Sequence, residues 1–476
     1  MASDLKERSR GLNIFLVIVL ALGGYCGGFH VAIFNSMGKP ILEGRYGFTG
    51  AKFDDELGNL SAMFPIGSLL GCLLGPQVMN FFGRRATNIG LDLSAILLFA
   101  LGLVEHLYVL YAVRIGFGFV GSLYGMCAGI TLVECFPKAL AGLGNILIYS
   151  FVTFIILLSF VLQLVSPYEV MVDYWYIYMT YPIVIAIFRY LSLIFFYKFE
   201  SPKFVLSQFN SLDDPQLRIA LKRNLLPLYL DHNLDEHITD IIEEARLDAS
   251  SKKTTLWEVL TQQAYRKPMI SALIGNVGQQ LSGINFFIFF STELFDKING
   301  QGKTISLAVG IGNFLGSFVS MLFVNRFKRV ATIQGGTLIQ GLNLAALLVG
   351  IYFEIYLILP LFVLIYLMAF AVGLGSTLGL YCNEILPPVG VGVMQALNWG
   401  FATLIGKLSP LGVKLIGGKS VLLVFAVLCG VFFIVIGFFC EEPRKAGRGD
   451  KASFNTDVPI QSVVASNPSL HHPLEA

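Results

Sequence analysis

The sequence predicts an all-α membrane protein in which twelve transmembrane helices form two six-helix pseudo-repeat bundles, with short cytoplasmic amphipathic helices between them. The composition indicates the class: of 476 residues, 55% are hydrophobic and 13% are charged, and the mean hydropathy is +0.71. Soluble domains carry about 25% charged residues. Twelve long apolar stretches, and motifs found in both halves, indicate the architecture. A chain of this size cannot bury so much apolar surface in soluble cores, which excludes an ordinary soluble enzyme.

Each apolar stretch is long enough for a transmembrane helix, which needs about 20 residues. The twelve predicted spans are Gly11–Gly38, Leu57–Gly83, Ala86–Val104, Leu107–Val133, Ala139–Tyr168, Tyr174–Tyr197, Met269–Thr292, Thr304–Asn325, Ala331–Phe353, Ile355–Asn383, Ile385–Val413 and Ser420–Cys440. Four spans hold one internal charge each, namely Asp92, Arg114, Arg189 and Lys407. Charges inside a membrane are paired or functional by default. We expect Asp92 and Arg189, at similar depth in spans three and six, to form an ion pair.

The distribution of charge divides the chain into five parts. Of its 33 basic and 31 acidic residues, 20 lie between Phe199 and Pro268, where apolar and charged residues alternate at the spacing of amphipathic helices. The predicted parts are a cytoplasmic N-terminus (1–10), an N-terminal six-helix bundle (11–198), a cytoplasmic helical linker (199–267), a C-terminal six-helix bundle (268–440) and a cytoplasmic tail (441–476). The polar composition of the tail predicts disorder.

The short loops predict the orientation of the helices. Basic residues concentrate before the first span, in the loops after spans two and eight, and after the twelfth span. Because an even number of spans separates these segments, they lie on the same side of the membrane, together with both termini. Because basic loops stay in the cytoplasm, we expect both termini to be cytoplasmic.

Three motifs recur in both halves at a nearly constant offset. The matched pairs are Met79–Arg85 with Val324–Val330, Val133–Pro137 with Asn383–Pro387, and Glu200–Lys203 with Glu441–Arg444. Repeats of this kind indicate two parallel bundles with a substrate site between them, near the middle of the membrane.

Seven motifs together identify a family. They are Gly83-Arg84-Arg85, Arg114 with Glu134, Glu200-Ser-Pro-Lys-Phe204, Gln279-Gln-Leu-Ser-Gly-Ile-Asn285, Asn313, Asn325-Arg326 and Asn398-Trp399. With them, the chain resembles the sugar porter group of the major facilitator superfamily over essentially all of Gly11–Arg444. The resemblance implies the major facilitator fold and facilitative transport (uniport) of hexoses, glucose first and fructose second, by alternating access in the plasma membrane. A proton-coupled sugar symporter and a transporter-like sugar sensor are the alternatives.

Three amides close together in the seventh span predict the substrate site. Gln279, Gln280 and Asn285 can both donate and accept hydrogen bonds without carrying charge, as sugar hydroxyls require. On a straight helix Gln280 and Asn285 would point about 140° apart, so they converge only if the helix bends at Ser282-Gly283. The alternative role for these amides is hydrogen bonding between helices.

The resemblance also assigns residues outside the seventh span. Those that would complete the substrate site are Asn313, Asn398 and Trp399, with Trp399 as an apolar face for the sugar ring or, alternatively, a core residue. Tyr149 of the fifth span is expected at the same site, although the family has a different residue there. The chain departs from the family in the tenth span, where Ala371 and Gly379 stand at the positions of a glutamate and a tryptophan. In the fifth span Ile148-Tyr149 replaces the usual His-Gln. Two polar ligands expected of the family are therefore missing.

Charges at the predicted cytoplasmic helix ends suggest a gate. The gate residues are Arg84, Arg85, Glu134, Arg326, Arg329 and Glu384. Because they recur in both halves, we expect them to form ion pairs across the helix ends when the outer mouth is open. The alternative is that the arginines only set the topology, since an exposed ion pair contributes about 0–1 kcal/mol.

The first span bears on whether transport is coupled to protons. By the resemblance, proton-driven sugar porters carry an aspartate there that faces the arginine of the fourth span, whereas this chain has His30 opposite Arg114. Without the carboxylate the usual proton carrier is absent, which favours uniport. A proton relay through His30 is the alternative.

No enzymatic activity, cofactor or metal is expected. The spans contain no paired carboxylates, metal-ligand cluster or nucleophile with a base. The seven cysteines lie in or at the ends of apolar stretches, without CxxC spacing, and are interpreted as packing residues. The expected partners are a small-molecule sugar and the lipid bilayer, and no nucleic acid. The sequence leaves the oligomeric state open.

Overall fold

The computed structural model describes residues 7–230, 234–250, 254–324 and 326–443, which form helices joined by turns and short loops. Residues 1–6 of the predicted N-terminus, Asn325 and residues 444–476 of the predicted tail lie outside these ranges. Within them, ten helical segments are long and apolar enough to cross a membrane. One of these segments, Gly50–Leu101, holds the second and third predicted spans. The seventh span is a pair of shorter helices within residues 263–299 and adds one more to the ten segments. The predicted all-α architecture of twelve spans is therefore confirmed.

The N-terminal half contains the first six spans. Its helices are α1 (Arg10–Ala21), α2 (Gly24–Lys39), α3 (Gly50–Leu101), α4 (Leu107–Cys135), α5 (Lys138–Val165), α6 (Tyr168–Asp173), α7 (Trp175–Thr180) and α8 (Ile183–Phe196). The first span is the broken pair α1 and α2, which a π-helical turn, Pro40–Arg45, extends. The sixth span is the broken pair α7 and α8.

Spans two and three are the two parts of α3, which meet at a sharp kink at Gly83. This residue has a φ of 82°, in the left-handed region that favours glycine. A Cβ there would lie 2.5 Å from Oε2 of Glu200. Only glycine therefore lets the chain reverse direction so closely against the start of the linker.

The linker contains the predicted short helices, which confirms that expectation. They are α9 (Pro202–Ser207), α10 (Pro215–Leu225), α11 (Leu234–Ser250) and α12 (Leu256–Thr261). Leu217, Leu221 and Leu225 of α10 are buried, because their spacing of four residues puts them on one face of the helix. The Tyr229 hydroxyl donates to the carbonyl of Cys135 at 2.9 Å, which ties the linker to the end of α4.

The C-terminal half contains the last six spans. Its helices are α13 (Gln263–Leu281), α14 (Ile284–Asn299), α15 (Gly302–Val324), α16 (Arg329–Tyr352), α17 (Leu359–Phe370), α18 (Leu378–Ile385), α19 (Pro388–Ile416) and α20 (Gly418–Phe439). The seventh span is the broken pair α13 and α14. The tenth consists of α17 and α18 joined by a π-helical segment, Ala371–Thr377.

We call the end of the bundle that carries the linker the inner end, and the opposite end the outer end, following the predicted orientation. The backbone N–H of Arg8 donates to the carbonyl of Leu228 at 2.9 Å. That of Ala331 donates to the Glu442 carboxylate at 3.2 Å. The described chain therefore begins and stops at the inner end.

The largest contacts between the two halves involve three helix pairs: α3 with α19, α5 with α15, and α2 with α14. The first pair packs backbone against backbone. A Cβ at Gly406 of α19 would lie 3.2 Å from the backbone N of Ala62 in α3. Small residues allow such close helix packing in membranes.

Candidate functional site

Amide side chains from α13, α14 and α19 form one hydrogen-bonded cluster. Gln280 Nε2 donates to Asn398 Oδ1 at 2.8 Å, and Asn285 Nδ2 donates to Gln280 Oε1 at 2.5 Å. Asn398 Nδ2 donates to Gln279 Oε1 and, at 3.2 Å, to Asn276 Oδ1. The structure thus brings together the three predicted amides of the seventh span and the predicted Asn398.

The predicted bend in the seventh span lets these amides converge, and it is confirmed. α13 ends at Leu281, and α14 follows Gly283, whose φ is 95°. The Ser282 carbonyl at the break accepts a hydrogen bond from the Tyr366 hydroxyl at 3.0 Å. A Cβ on Gly283 would lie 2.9 Å from the Phe425 ring, so both the backbone conformation and the packing require glycine here.

Asn276 belongs to the cluster although sequence reasoning missed it. It lies three residues before Gln279, and residues separated by three positions face the same side of a helix. Its side chain is buried and also donates to the Ala272 carbonyl of its own helix. That spacing was the signal that could have identified it.

Tyr149 reaches the same region from the N-terminal half. Its hydroxyl would lie 3.4 Å from a Cβ on Gly375, in the π-helical segment of the tenth span. Gln279 Nε2 donates to the Leu374 carbonyl of that segment at 2.5 Å. Tyr149 and Gln279 therefore approach adjacent residues of the tenth span from opposite halves.

Trp399 and Asn313 occupy different surroundings. The Trp399 ring meets the Phe64 ring of the N-terminal half edge-on, with 5.9 Å between centroids, and is half-buried. It thus lies between the halves, next to Asn398. Asn313 on α15 is buried, and its Oδ1 has no hydrogen-bond partner. None of the hydrogen bonds that form the amide cluster includes Asn313.

The cluster can exchange internal hydrogen bonds for bonds to a polyhydroxyl ligand. Gln279, Asn285 and Trp399 are half-buried, whereas Gln280 and Asn398 are buried behind them. Each amide carries a donor and an acceptor. Since a sugar hydroxyl carries both as well, it can replace an amide without leaving a buried group unpaired.

His30 and Arg114 are neighbours, but through the backbone. Arg114 donates to the carbonyl of His30 and, at 3.0 Å, to that of Leu60. Its guanidinium lies 4.7 Å from the centroid of the Phe34 ring. The buried His30 ring stacks on Phe117 with 3.7 Å between centroids, and neither ring nitrogen has a hydrogen-bond partner.

Asp92 and Arg189 form the predicted ion pair. Arg189 Nε lies 2.9 Å from Asp92 Oδ1, and both side chains are fully buried. The pair joins α3 to α8 inside the N-terminal half.

At the inner end, the predicted gate residues form one ion pair in each half. Arg84 pairs with Glu134 at 3.1 Å, and Arg329 pairs with Glu384 at 2.8 Å. Each pair joins two helices of the same half. Both pairs are present in a structure whose outer end is closed, whereas the sequence analysis expected them when the outer mouth is open. Arg326 is exposed and forms no ion pair with the residues that the structure describes.

Arg85 lies at the same end, but its side chain binds a backbone carbonyl instead of a gate carboxylate. Its Nε donates to the Tyr197 carbonyl at 2.5 Å. Its backbone N–H, like that of Arg84, donates to the carboxylate of Glu200. Burial raises the pKa of Glu200, and the backbone N–H groups of Ser201, Arg85 and Arg84 oppose that rise. Glu200 was noted only as part of a motif, and its role at the kink depends on the fold.

Polar contacts close the outer end between the halves. Lys407 Nζ lies 2.6 Å from Asp55 Oδ1 and 2.5 Å from Asn59 Oδ1, and Lys297 Nζ lies 3.3 Å from Asp54 Oδ1. Sequence reasoning flagged Lys407 as an intramembrane charge, but not its acidic partner. The acidic run at the start of α3 was the available signal.

Deeper in the outer end, Asn35 of α2 bonds to α14. Its Nδ2 donates to the Ser291 hydroxyl at 2.7 Å, and its Oδ1 accepts from the backbone N–H of Thr292 at 2.9 Å. Gln163 Nε2 of α5 donates to the Thr292 hydroxyl at 3.1 Å. These residues were not predicted, since nothing in one span shows which span it faces.

Comparisons with known proteins identify the family of the chain. The profile of the family "Sugar (and other) transporter" matches residues 16–445. The facilitated glucose transporter member 3 of solute carrier family 2 from Oryctolagus cuniculus is 26% identical, over 94% of this chain and 97% of its own length. Hexose transporter 1 of Plasmodium vivax is 24% identical, over 91% and 90%.

Solved structures show the same fold. The inward open conformation of the xylose transporter XylE from E. coli superposes with a TM-score of 0.72 at 18% identity, covering 91% of this chain and 97% of that one. Its partially occluded inward open conformation gives a TM-score of 0.71, covering 90% and 100%. The fold is therefore that of the major facilitator superfamily. With its family profile matched over nearly the whole chain, this protein belongs to the sugar (and other) transporter family.

Proposed function

We propose that this sugar transporter family member is a uniporter of hexoses, with glucose as the first candidate substrate and fructose as the second. The observation that carries the proposal is the cluster of Gln279, Gln280, Asn285 and Asn398, with Tyr149 and Trp399 close by. This set offers neutral donors and acceptors beside an aromatic face, which suits a hexose. The names of the glucose and hexose transporters to which the chain is similar support the choice of substrate.

Alternating access is the proposed mechanism. The site residues come from both halves, so a sugar bound there would be released when the halves separate at one end. The contacts at the outer end, such as Lys407 with Asp55, join one half to the other. The inner ion pairs, Arg84 with Glu134 and Arg329 with Glu384, stay within a half. Rocking of the halves about the site would therefore break the outer contacts and preserve the inner pairs. We propose that the six predicted gate residues form ion pairs across the helix ends of the inner side when the outer end is open.

The surroundings of Arg114 support uniport over proton symport. The groups that contact its guanidinium are the carbonyls of His30 and Leu60 and the rings of Phe34 and Phe64. A carboxylate in this position would be a proton carrier, and neutral carbonyls are not. His30 could carry protons in place of such a carboxylate only if a hydrogen-bonded path for protons reached its ring.

The proposed location is the plasma membrane with both termini in the cytoplasm. Its support is the position of both ends of the described chain at the inner end, where the basic residues of the short loops also lie.

Uptake of labelled glucose and fructose by a host that lacks its own hexose carriers tests the proposal. We expect uptake that saturates, equilibrates without accumulation and is unchanged by a protonophore. Accumulation that collapses with the protonophore would establish symport instead. Sugar binding by purified protein without uptake would favour a sensor.

A further inference from the structure

The break in the first span is held by a side chain from the sixth. At the break, the N–H of Gly23 donates to the carbonyl of Leu20 at 3.1 Å. An unbroken helix would instead bond it to the carbonyl of Val19, which is thereby released. Arg189 Nη1 donates to both carbonyls, at 2.5 Å to Val19 and at 2.7 Å to Leu20. The guanidinium thus caps the end of α1 where the helix stops.

Asp92 and Tyr124 fix that guanidinium in place. Asp92 Oδ1 accepts from Arg189 Nε at 2.9 Å and from the Tyr124 hydroxyl at 2.6 Å. The guanidinium lies 4.8 Å from the centroid of the Tyr124 ring. A Cβ on Gly23 would lie 3.0 Å from Arg189 Nη1, so the break and the ion pair fit each other closely. Because a buried charge needs both a partner and hydrogen bonds, removing Asp92 would also loosen the cap.

The helix beyond the break, α2, packs on the part of α5 that carries Tyr149. A Cβ at Gly24 would lie 2.4 Å from the carbonyl oxygen of Ile148, and one at Gly28 would lie 2.1 Å from that of Val152. These contacts lie on either side of Tyr149 in the sequence. At its other end α2 carries Asn35, which bonds to α14 at the outer end. A change in the angle between α1 and α2 would therefore move both Tyr149 and Asn35.

The break in the seventh span differs in backbone and in capping: Gly283 there has a φ of 95°, whereas Leu22 and Gly23 keep right-handed helical dihedrals. At the seventh-span break the Ser282 carbonyl accepts from the neutral Tyr366 hydroxyl, whereas the first break is capped by a guanidinium that a carboxylate neutralises. Charge-assisted hydrogen bonds are roughly twice as strong as neutral ones. The first break is thus held by a charge-assisted cap and the seventh by a neutral one.

We propose that Arg189, held by Asp92, is a positioning residue for transport. It fixes the angle between α1 and α2, and through α2 it sets the place of Tyr149 at the sugar site and of Asn35 at the outer closure. This inference rests on the sugar transport proposed above.

The test compares Arg189→Met and Asp92→Asn with Arg189→Lys, which keeps the charge. Gly23→Ala perturbs the break while both charges stay, and Gly125→Ala, where a Cβ would meet no atom within 4 Å, is its matched control. Each is measured for the KM and kcat of uptake and for its melting temperature. An Asp54→Cys and Lys297→Cys pair in each background, bridged by a short thiol cross-linker, reports the fraction closed at the outer end.

We expect Arg189→Met and Asp92→Asn to raise KM about tenfold, as the loss of one hydrogen bond to the sugar would, and to lower the cross-linked fraction. Gly23→Ala should change KM and cross-linking in the same direction, Arg189→Lys should recover part of both, and Gly125→Ala should match the wild type. The proposal is overturned if the melting temperature falls while KM and cross-linking of the folded protein, Gly23→Ala included, stay at wild-type values. If the wild type takes up no hexose, the proposed function fails, and the cross-linking still decides the positioning role.

Discussion

The ammonium group of Lys407 lies 2.6 Å from the carboxylate of Asp55, and 352 positions separate these residues in the sequence. The pair joins α19 to the start of α3, and hence one half of the molecule to the other. Lys407 also donates to Asn59 Oδ1, which is one helical turn further along α3. The outer end is thus closed by a charge that lies within the eleventh predicted span.

Replacing Lys407 with methionine should favour opening of the outer end. Both partners are partly exposed, so the pair is worth at most about 1 kcal/mol, or about a fivefold shift in the closed-to-open ratio. The rate at which an impermeant thiol reagent labels a Ser291→Cys variant measures this opening. Lys419→Met, which removes an exposed lysine at the same end, is the control. An unchanged labelling rate in Lys407→Met would refute a closing role.

Replacing Asn398 with alanine should raise KM for the sugar by about tenfold to a hundredfold, because it leaves buried amides without partners at about 1–3 kcal/mol. Gln280, Gln279 and Asn276 all bond to its side chain. Measured uptake kinetics check the effect. Asn343→Ala is the control, since that half-buried side chain bonds only to its own helix. Equal KM values for the two variants would show that Asn398 does not contribute to the sugar site.

The two inner ion pairs should differ in their contribution to stability. The side chains of Arg84 and Glu134 are 11% and 10% exposed, whereas those of Arg329 and Glu384 are 20% and 37% exposed. Arg84→Ala leaves a mostly buried carboxylate unpaired and should cost about 1–3 kcal/mol, whereas Arg329→Ala should cost less than about 1 kcal/mol. Chemical unfolding of purified protein compares them. Equal losses would show that the repeated pairs are equivalent.

Replacing His30 with phenylalanine should leave uptake and its pH dependence unchanged. The His30 ring stacks on Phe117, and neither nitrogen has a hydrogen-bond partner, so an aromatic hydrocarbon fits the same contacts. Uptake measured from about pH 5.5 to about pH 8, a range that brackets the usual histidine pKa of about 6.5, checks this. The exposed His106, changed to phenylalanine, is the control. Acid-stimulated uptake that is present in the wild type and lost only in His30→Phe would identify a proton relay.

Local features of the site and one ion pair between helices were predictable, whereas the other contacts between distant helices were not. The angle between Gln280 and Asn285 on one helix required a bend, and Gly283 supplies it. Similar depths in the membrane identified Asp92 and Arg189 as partners. The outer contacts of Asn35 and Lys407 depend on which helix faces which, and that information is not contained in one helix. The π-helical segment Ala371–Thr377 was also missed, because its sequence is as apolar as the helices on either side.

The closed outer end has a kinetic consequence for a passive carrier. Only molecules in which the contacts of Lys407 and Asn35 are broken can bind sugar from outside, so the apparent affinity for uptake is reduced by the fraction in that state. Since a uniporter gives no net flux between equal concentrations, a higher KM for uptake than for efflux must be matched by a proportionally higher maximal rate. Stabilising the outer contacts would therefore make the carrier direction-dependent in both constants without making it a pump.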